Sequence, residues 1–212
     1  MTDWTQLGVV RGDDGRKRCG WCTSAPDYVA YHDDEWGRPV TDDVRLYEKI
    51  CLEGFQSGLS WLTILRKREG FRRAFAGFDP DAVARFGPAD VERLMADPGI
   101  VRHRGKVEAA IANARATVRA RDKHGSLTAL VWSFEPTRRG RRAPKRLGDL
   151  PATTVESTAL AKALRALGFR FVGPTTAYAA MESLGLVNDH LAGCDVRSAC
   201  ERERRALGKI AV

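Results

Sequence analysis

LGFRFVGPTTAYAAMESLG, from Leu167 to Gly185, places two glycines five residues apart around a short aromatic and basic insert. An apolar stripe of Leu160, Ala163, Leu164 and Leu167 reaches it at helical spacing, and Gly168 supplies the residue type that ends such a helix. Gly173-Pro174 then opens a second helix that runs to about Leu184. Only Phe169, Arg170, Phe171 and Val172 lie between, so a tight turn joins the two helices. The free N–H groups at the start of the second helix, with its dipole, suit an anion such as a DNA phosphate. Arg170 adds charge at the same point. Gly168, Arg170 and Gly173 are therefore candidate contacts to a DNA backbone. The same residues equally make an ordinary αα-hairpin whose apolar side chains fill the core.

Helical signals continue upstream. Thr41-Asp42-Asp43 offers capping oxygens before Leu46, Tyr47 and Ile50, and Ser60 can cap a helix carrying Trp61, Ile64 and Leu65. Asp79-Pro80 and Pro88 mark two further starts, the second helix ending near Met95. A long helix is expected from about Gly105 to Arg121, a short apolar one from Ser126 to Phe134, and another opening at Ser157. No alternating run of β-branched residues is long enough for a strand, and there is no internal repeat. The expected fold class is all-α. Residues 1–17 read as a polar extension, 18–200 as one domain of two helical lobes, and 201–212 as a charged tail.

At 212 residues the chain can bury a sizeable core. Its formal charge of +8 suits a polyanionic partner, though an Arg-rich composition also simply makes a basic surface. The densest cluster, TRRGRRAPKR from Thr137 to Arg146, has Gly and Pro inside it and reads as a mobile loop, solvated or touching phosphates. No apolar run approaches the ~20 residues of a membrane span, and the N-terminus has no apolar core with a cleavage site, so a cytoplasmic protein is expected. In that compartment five cysteines argue for metal ligands or buried thiols over disulfides.

Cys19 precedes His32 by thirteen residues, and far along the chain His190 and Cys194 stand four apart, a spacing that puts both on one face of a helix or turn. Together they form a Cys, His, His, Cys set suited to tetrahedral structural Zn2+, which would clasp the two ends of the chain. Cys22 leaves alternatives open. CGWC could supply two ligands and displace a histidine, or act as a thioredoxin-like redox pair, although the βαβ setting of the latter is missing. Each residue could also be a lone buried side chain. Cys51 reads as core and Cys200 as part of the charged tail.

RCGWC, YVAYHDDEWG, ICLEGFQSGLSW, VRHRGK and FVGPTTAYAAMESLGLVNDH, in this order from Arg18 to about Cys194, resemble the DNA-3-methyladenine glycosylase I family. The resemblance implies a helix-hairpin-helix DNA repair enzyme. Such an enzyme flips 3-methyladenine out of duplex DNA and hydrolyses its glycosidic bond without lyase activity. It places the family's zinc ligands on Cys19, His32, His190 and Cys194, leaving Cys22 a bystander. It places the lesion-recognising, catalytic glutamate on Glu53 and the stacking tryptophan on Trp61. Trp21, Tyr28 and Tyr31 match the aromatic lining of the base pocket, and Trp36 lies in a matching motif. The implied partner is double-stranded DNA containing 3-methyladenine, bound by a monomer with one structural Zn2+.

Without the resemblance Glu53 would read as a surface acid and Trp61 as core. Gly54 and Gly58 suggest that the helix breaks between them and opens a pocket. Asp189 stands where many helix-hairpin-helix glycosylases keep a catalytic aspartate, but capping a following helix is the expected role. Two rival classes are a zinc-stabilised DNA-binding module without activity and a thiol oxidoreductase built on CGWC. Lys106 and Lys162 sit in ordinary helical contexts, which argues against a lyase nucleophile.

Overall fold

Short polar side chains placed just before apolar runs start most of the helices. The Asp42 carboxylate accepts from the Arg45 N–H, Ser60 from Thr63, Asp79 from Asp81 and Ala82, and Ser126 from Ala129. The computed structural model describes residues 6–137 and 141–208. Along them run β1 (Val9–Arg11), β2 (Lys17–Cys19), α1 (Pro26–Asp34), α2 (Asp43–Gln56), α3 (Trp61–Ala74), α4 (Pro80–Val83) and α5 (Pro88–Ala96). Then come α6 (Arg104–His124), α7 (Leu127–Trp132), α8 (Val155–Ala166), α9 (Pro174–Ser183) and α10 (Arg197–Ala206). The described chain is mostly helical, as expected.

A single core runs through it. α2 packs against α6 and α9, α8 against α9, and Tyr47, Phe55, Phe71, Phe75 and Phe78 lie fully inside. The Tyr47 hydroxyl donates to the Ala110 carbonyl at 2.9 Å, locking α2 to α6. The Lys106 ammonium donates to the carbonyls of Phe55 at 2.9 Å and Ser57 at 2.5 Å, so α6 caps the C-terminal end of α2. The end of α9 docks on the 38–40 segment, where Val40 N–H donates to Leu184 O. Gly185, at φ +77°, lies so close to Arg38 that a Cβ would fall 2.5 Å from its carbonyl carbon.

Several boundaries differ from expectation. α8 begins at Val155, because Thr154 and Ser157 form a reciprocal capping box rather than Ser157 acting as the cap. Gly54 stays inside α2, where its missing side chain admits Phe171 of the α8–α9 turn, and the break falls at Ser57 and Gly58. The all-α expectation misses β1 and β2, a three-residue antiparallel pair with Val9 opposite Cys19. Residues 9–11 thus lie in the expected polar extension, yet they pair with the chain that carries a candidate ligand. α10 likewise crosses into the expected charged tail. Its Cys200 and Arg204 point inward, four residues apart, and Arg204 ion-pairs with Glu135. No described helix is long and apolar enough to cross a membrane.

The Asp43 carboxylate reaches across the fold, accepting from Leu127 N–H at 2.9 Å, Thr128 N–H at 2.8 Å and the Thr128 hydroxyl at 2.6 Å. It therefore caps α7 from the first turn of α2. Asp43→Ala should lose about 1–3 kcal/mol. At roughly 2–4 °C per kcal/mol for a chain of this length, thermal melting would show it clearly.

Candidate functional site

Four candidate ligands meet although they come from opposite ends of the chain. Cys19 closes β2, His32 sits in the last turn of α1, and His190 and Cys194 flank the turn before α10. All four are buried and their ligand atoms lie within 4.8 Å of one another. Cys194 Sγ is 3.6 Å from His32 Nε2 and 3.6 Å from His190 Nδ1, Cys19 Sγ is 3.8 Å from His190 Nδ1, and the two imidazole nitrogens are 3.1 Å apart. A tetrahedron with metal–sulfur bonds near 2.3 Å and metal–nitrogen bonds near 2.0 Å has edges of roughly 3.3–3.8 Å. The cluster fits a metal ion.

Surrounding groups set the tautomers. His32 turns Nδ1 to Asp33 Oδ1 at 2.8 Å, leaving Nε2 for the cluster, and His190 turns Nε2 to the Trp36 carbonyl at 3.0 Å, leaving Nδ1. Asp33 is held in turn by Arg18 at 2.9 Å and Arg16 at 2.9 Å. The Cys194 thiol is pulled well below its ordinary pKa, chiefly by the hydrogen bond from Cys19 and then by those from the histidines. Leu191 N–H donates to Cys19 Sγ at 3.2 Å. The arrangement favours thiolate at Cys194, with Cys19 as the thiol that donates to it.

One helix away lies a cavity of about 210 Å³. Rings in contact lead from the cluster into it. Trp36 packs on His190 at 4.7 Å and on Trp21 at 5.1 Å. Trp21 meets Tyr28 at 4.9 Å, Tyr28 stacks on Tyr31 at 6.4 Å, and Tyr31 meets Trp61 at 5.5 Å. Trp21, Tyr28, Tyr31, Trp61 and Glu53 all wall the cavity, so the structure brings every candidate pocket residue together. Trp36 lines it too. Glu53 is no surface acid. It is 7% exposed, and burial pushes its carboxyl up to about 7 against the opposing charge of Lys49 and a hydrogen bond with Ser183.

The sequence reading passed over several contributors. Glu182 of α9 faces the cavity, its carboxyl raised well above the ordinary range first by burial and then by Asp189 and Glu53. Leu147 and Leu150 close another side from the α7–α8 connection. Lys49 stands beneath the rings, 4.4 Å from the Tyr31 ring centre and 5.0 Å from that of Trp61. Helical spacing from Glu53 could have flagged Lys49 and, more remotely, position 182 in a polar gap of the apolar α9.

Other candidates lie elsewhere. Cys22 is buried beside the cluster but outside the four-residue set, and the described cysteines form no disulfide. Cys200, expected as part of a charged tail, is fully buried, its Sγ 3.9 Å from the Trp36 carbonyl. Asp189 caps no helix. It accepts from the Tyr178 hydroxyl at 2.6 Å and from Arg141 at 2.7 Å. That pairing also ties down part of the basic 137–146 stretch, whose residues 138–140 fall outside the described residues.

Gly168, at φ +95°, ends α8, with the Phe169 N–H donating back to Leu164 O. Arg170 is exposed at the tip of the turn, while Phe171 is part-exposed and packs against Gly54 of α2 and edge-on to the His103 ring at 6.2 Å. Asn113 of α6 pins both backbone groups of Arg170, accepting from its N–H at 2.7 Å and donating to its carbonyl at 3.2 Å. A side chain at Gly173 would meet only open space.

Comparison with known proteins agrees with this geometry. The methyladenine glycosylase family model matches residues 21–198. DNA-3-methyladenine glycosylase 1 of Escherichia coli (strain K12) is 49% identical over 178 residues, 84% of this chain and 95% of that protein. A solved structure of 3-methyladenine DNA glycosylase I from Staphylococcus aureus, concerned with the structural basis of 3-methyladenine recognition, superposes with a TM-score of 0.81 at 36% identity, covering 85% of this chain and 96% of the other. A variant of a 3-methyladenine DNA glycosylase I in complex with 3-methyladenine also matches, with a TM-score of 0.81 at 35% identity over 85% of this chain and 97% of that one. The chain belongs to the methyladenine glycosylase family.

The buried Glu53 carboxyl has a consequence for stability. Its pKa in the folded chain is raised above the ordinary 4.5, so the folded state favours the protonated acid and ionisation costs stability. The cost is absent below about pH 4.5 and complete above about pH 7, where it reaches roughly 3 kcal/mol. Glu53→Gln should therefore melt like the parent near pH 4 and higher than it at pH 8. A melting difference that does not grow with pH would show that Glu53 is not desolvated.

Proposed function

We propose that this protein is a DNA glycosylase that draws 3-methyladenine out of duplex DNA into the aromatic cavity and hydrolyses its N-glycosyl bond, with no lyase step. The observation that carries this reading is a buried carboxyl, Glu53, facing a cavity walled by Trp21, Tyr28, Tyr31 and Trp61. The names of the similar proteins, and the 3-methyladenine complex among them, support the choice of base.

A base stacked in a duplex cannot be reached, so it must be extruded and its unstacking cost offset. Stacking on aromatic faces returns roughly 1–3 kcal/mol per base. 3-Methyladenine carries a formal positive charge while bonded to its sugar, and electron-rich ring faces attract it further. The Glu53 carboxylate accepts hydrogen bonds from the adenine edge and offsets that charge. Because the base is already cationic it leaves readily. The glycosidic electron pair departs with it and quenches its charge, water bonds to the sugar carbon, and the proton of that water goes to solvent. No amine is needed. Lys106 is committed to the end of α2, and Lys162 is exposed on α8.

α8 and α9 then serve as a helix-hairpin-helix element. The exposed turn offers Arg170 and the backbone at Gly168 and Gly173 to a phosphate, and Asn113 holds it rigid. Zn2+ bound by Cys19, His32, His190 and Cys194 is structural and holds β2, α1 and the chain before α10 together. The distances within the cluster and the outward-turned ring nitrogens support it. A thiol oxidoreductase is disfavoured by the burial of Cys22 and the engagement of Cys19. A DNA-binding module without activity has no use for a buried acid in an aromatic cavity.

Single-turnover release of 3-methyladenine from methylated duplex tests the reading. Glu53→Gln should slow release by roughly 10- to 100-fold, the worth of a hydrogen bond to a charged group, while duplex binding stays unchanged. Release at the parental rate would remove Glu53 from the mechanism. Metal analysis should find one zinc per chain, lost together with several degrees of melting temperature in Cys194→Ser. A metal-free parent of equal stability would overturn the zinc assignment.

A further inference from the structure

Lys49 precedes Glu53 by four residues on α2, so both side chains leave the same face of the helix. Lys49 is 5% exposed, and its ammonium donates to the Tyr31 hydroxyl at 3.0 Å and to Glu35 Oε1 at 2.9 Å. Tyr31 and Trp61 wall the cavity and Lys49 does not, which puts the ammonium behind two rings whose centres are 4.4 and 5.0 Å away. Glu35 is further shared with Arg68 at 2.6 Å and Arg45 at 3.9 Å, so it does not neutralise Lys49 alone. The two ring walls that meet an incoming base thus already carry a resident cation.

Two effects oppose each other. A fixed positive charge behind the rings weakens their pull on a cationic base. The same charge favours the carboxylate form of Glu53, the group that supplies the strongest pull. The groups that face Glu53 are Lys49 on its own helix, Tyr28 and Tyr31 from α1, and Glu182 and Ser183 from α9. Lys49 is the cation among them. The two phenols are uncharged where Glu53 titrates, and burial also pushes Glu182 towards its neutral form, so burial is what drives Glu53 towards the neutral acid.

We infer that Lys49 is a positioning residue for the cavity acid: from behind Tyr31 and Trp61 it favours the carboxylate form of Glu53, and so decides that the cavity prefers a cationic base to a neutral one. The inference rests on Glu53 being the acid that meets the base. Burial alone carries the Glu53 carboxyl upward, and Lys49 is the charge that draws it back. Burial lowers the pKa of the Lys49 ammonium, Glu35 and Glu53 offset part of that, and Arg68 adds to it.

The test is the pH dependence of kcat/KM for release of 3-methyladenine from methylated duplex, measured for the parent, Lys49→Met, Lys49→Arg and Glu53→Gln. The titration of the substrate is common to all four, so differences in the acidic limb belong to the protein. Lys49→Met should move that limb upward by about one pH unit, the usual effect of deleting a near opposite charge. Lys49→Arg should restore the parental position. Lys49→Gln, which keeps a polar head beside Tyr31 and Glu35, carries the same expectation as methionine and serves if that variant does not fold. A limb unmoved in the folded methionine or glutamine variant overturns the inference. An acidic limb that persists unchanged in Glu53→Gln overturns instead the assignment of Glu53, and the two failures are thereby separable.

Discussion

The cluster of two thiols and two imidazoles is the constraint on which the cavity depends. α1 is only nine residues long and its N-cap position, Ala25, makes no side-chain cap hydrogen bond. A helix of that length is not stable by propensity alone. It is held because His32 enters the cluster while Tyr31, the next residue, faces the cavity and packs on Trp61. Trp21 and Trp36 touch histidines of the cluster and also line the cavity. Loosening the cluster therefore loosens the ring wall. The ring contacts, and not any single hydrogen bond, carry position from one to the other.

Inside the cavity the chain accepts an electrostatic cost. Glu53 and Glu182 face one space, and burial raises both carboxyls. Lys49 opposes this for Glu53, and Arg141 does so for Glu182. Cost without structural benefit marks a surface kept for a ligand. A cation arriving between those acids would find part of its desolvation already offset.

Features set by neighbours in sequence were legible from sequence. Asp42, Ser60, Asp79 and Ser126 announced helix starts because a cap needs only the next three residues. Cys19, His32, His190 and Cys194 were legible as a metal-type set by residue chemistry and spacing. Their convergence from 171 residues apart was an inference that only the tertiary fold could test. Glu53 and Trp61 were not legible as a site by pattern at all; resemblance alone marked them. Burial of Glu53 depends on α1 and α9, which periodicity within α2 does not register. α10 was hidden for the opposite reason, its high charge masking an inward edge of Cys200 and Arg204. β1 escaped because a three-residue strand has no room for alternation.

α6 gives the arrangement its rigidity. Through Lys106 it holds the last turn of α2, just beyond Glu53, and through Asn113 it holds the tip of the turn between α8 and α9. The two residues lie seven apart, two turns along one face of one helix. Gly54 brings the same two parts into direct contact, since its bare α-carbon is what lets Phe171 sit against α2. The cavity acid and the exposed turn thus belong to one body with little freedom between them. On the proposed function, in which the turn holds a phosphate backbone while one nucleotide is drawn inward, that fixed separation would decide whether the base that reaches Glu53 is the one whose backbone is held. A flexible joint between the two would spend binding energy on ordering itself, and a rigid one directs it to extruding the base.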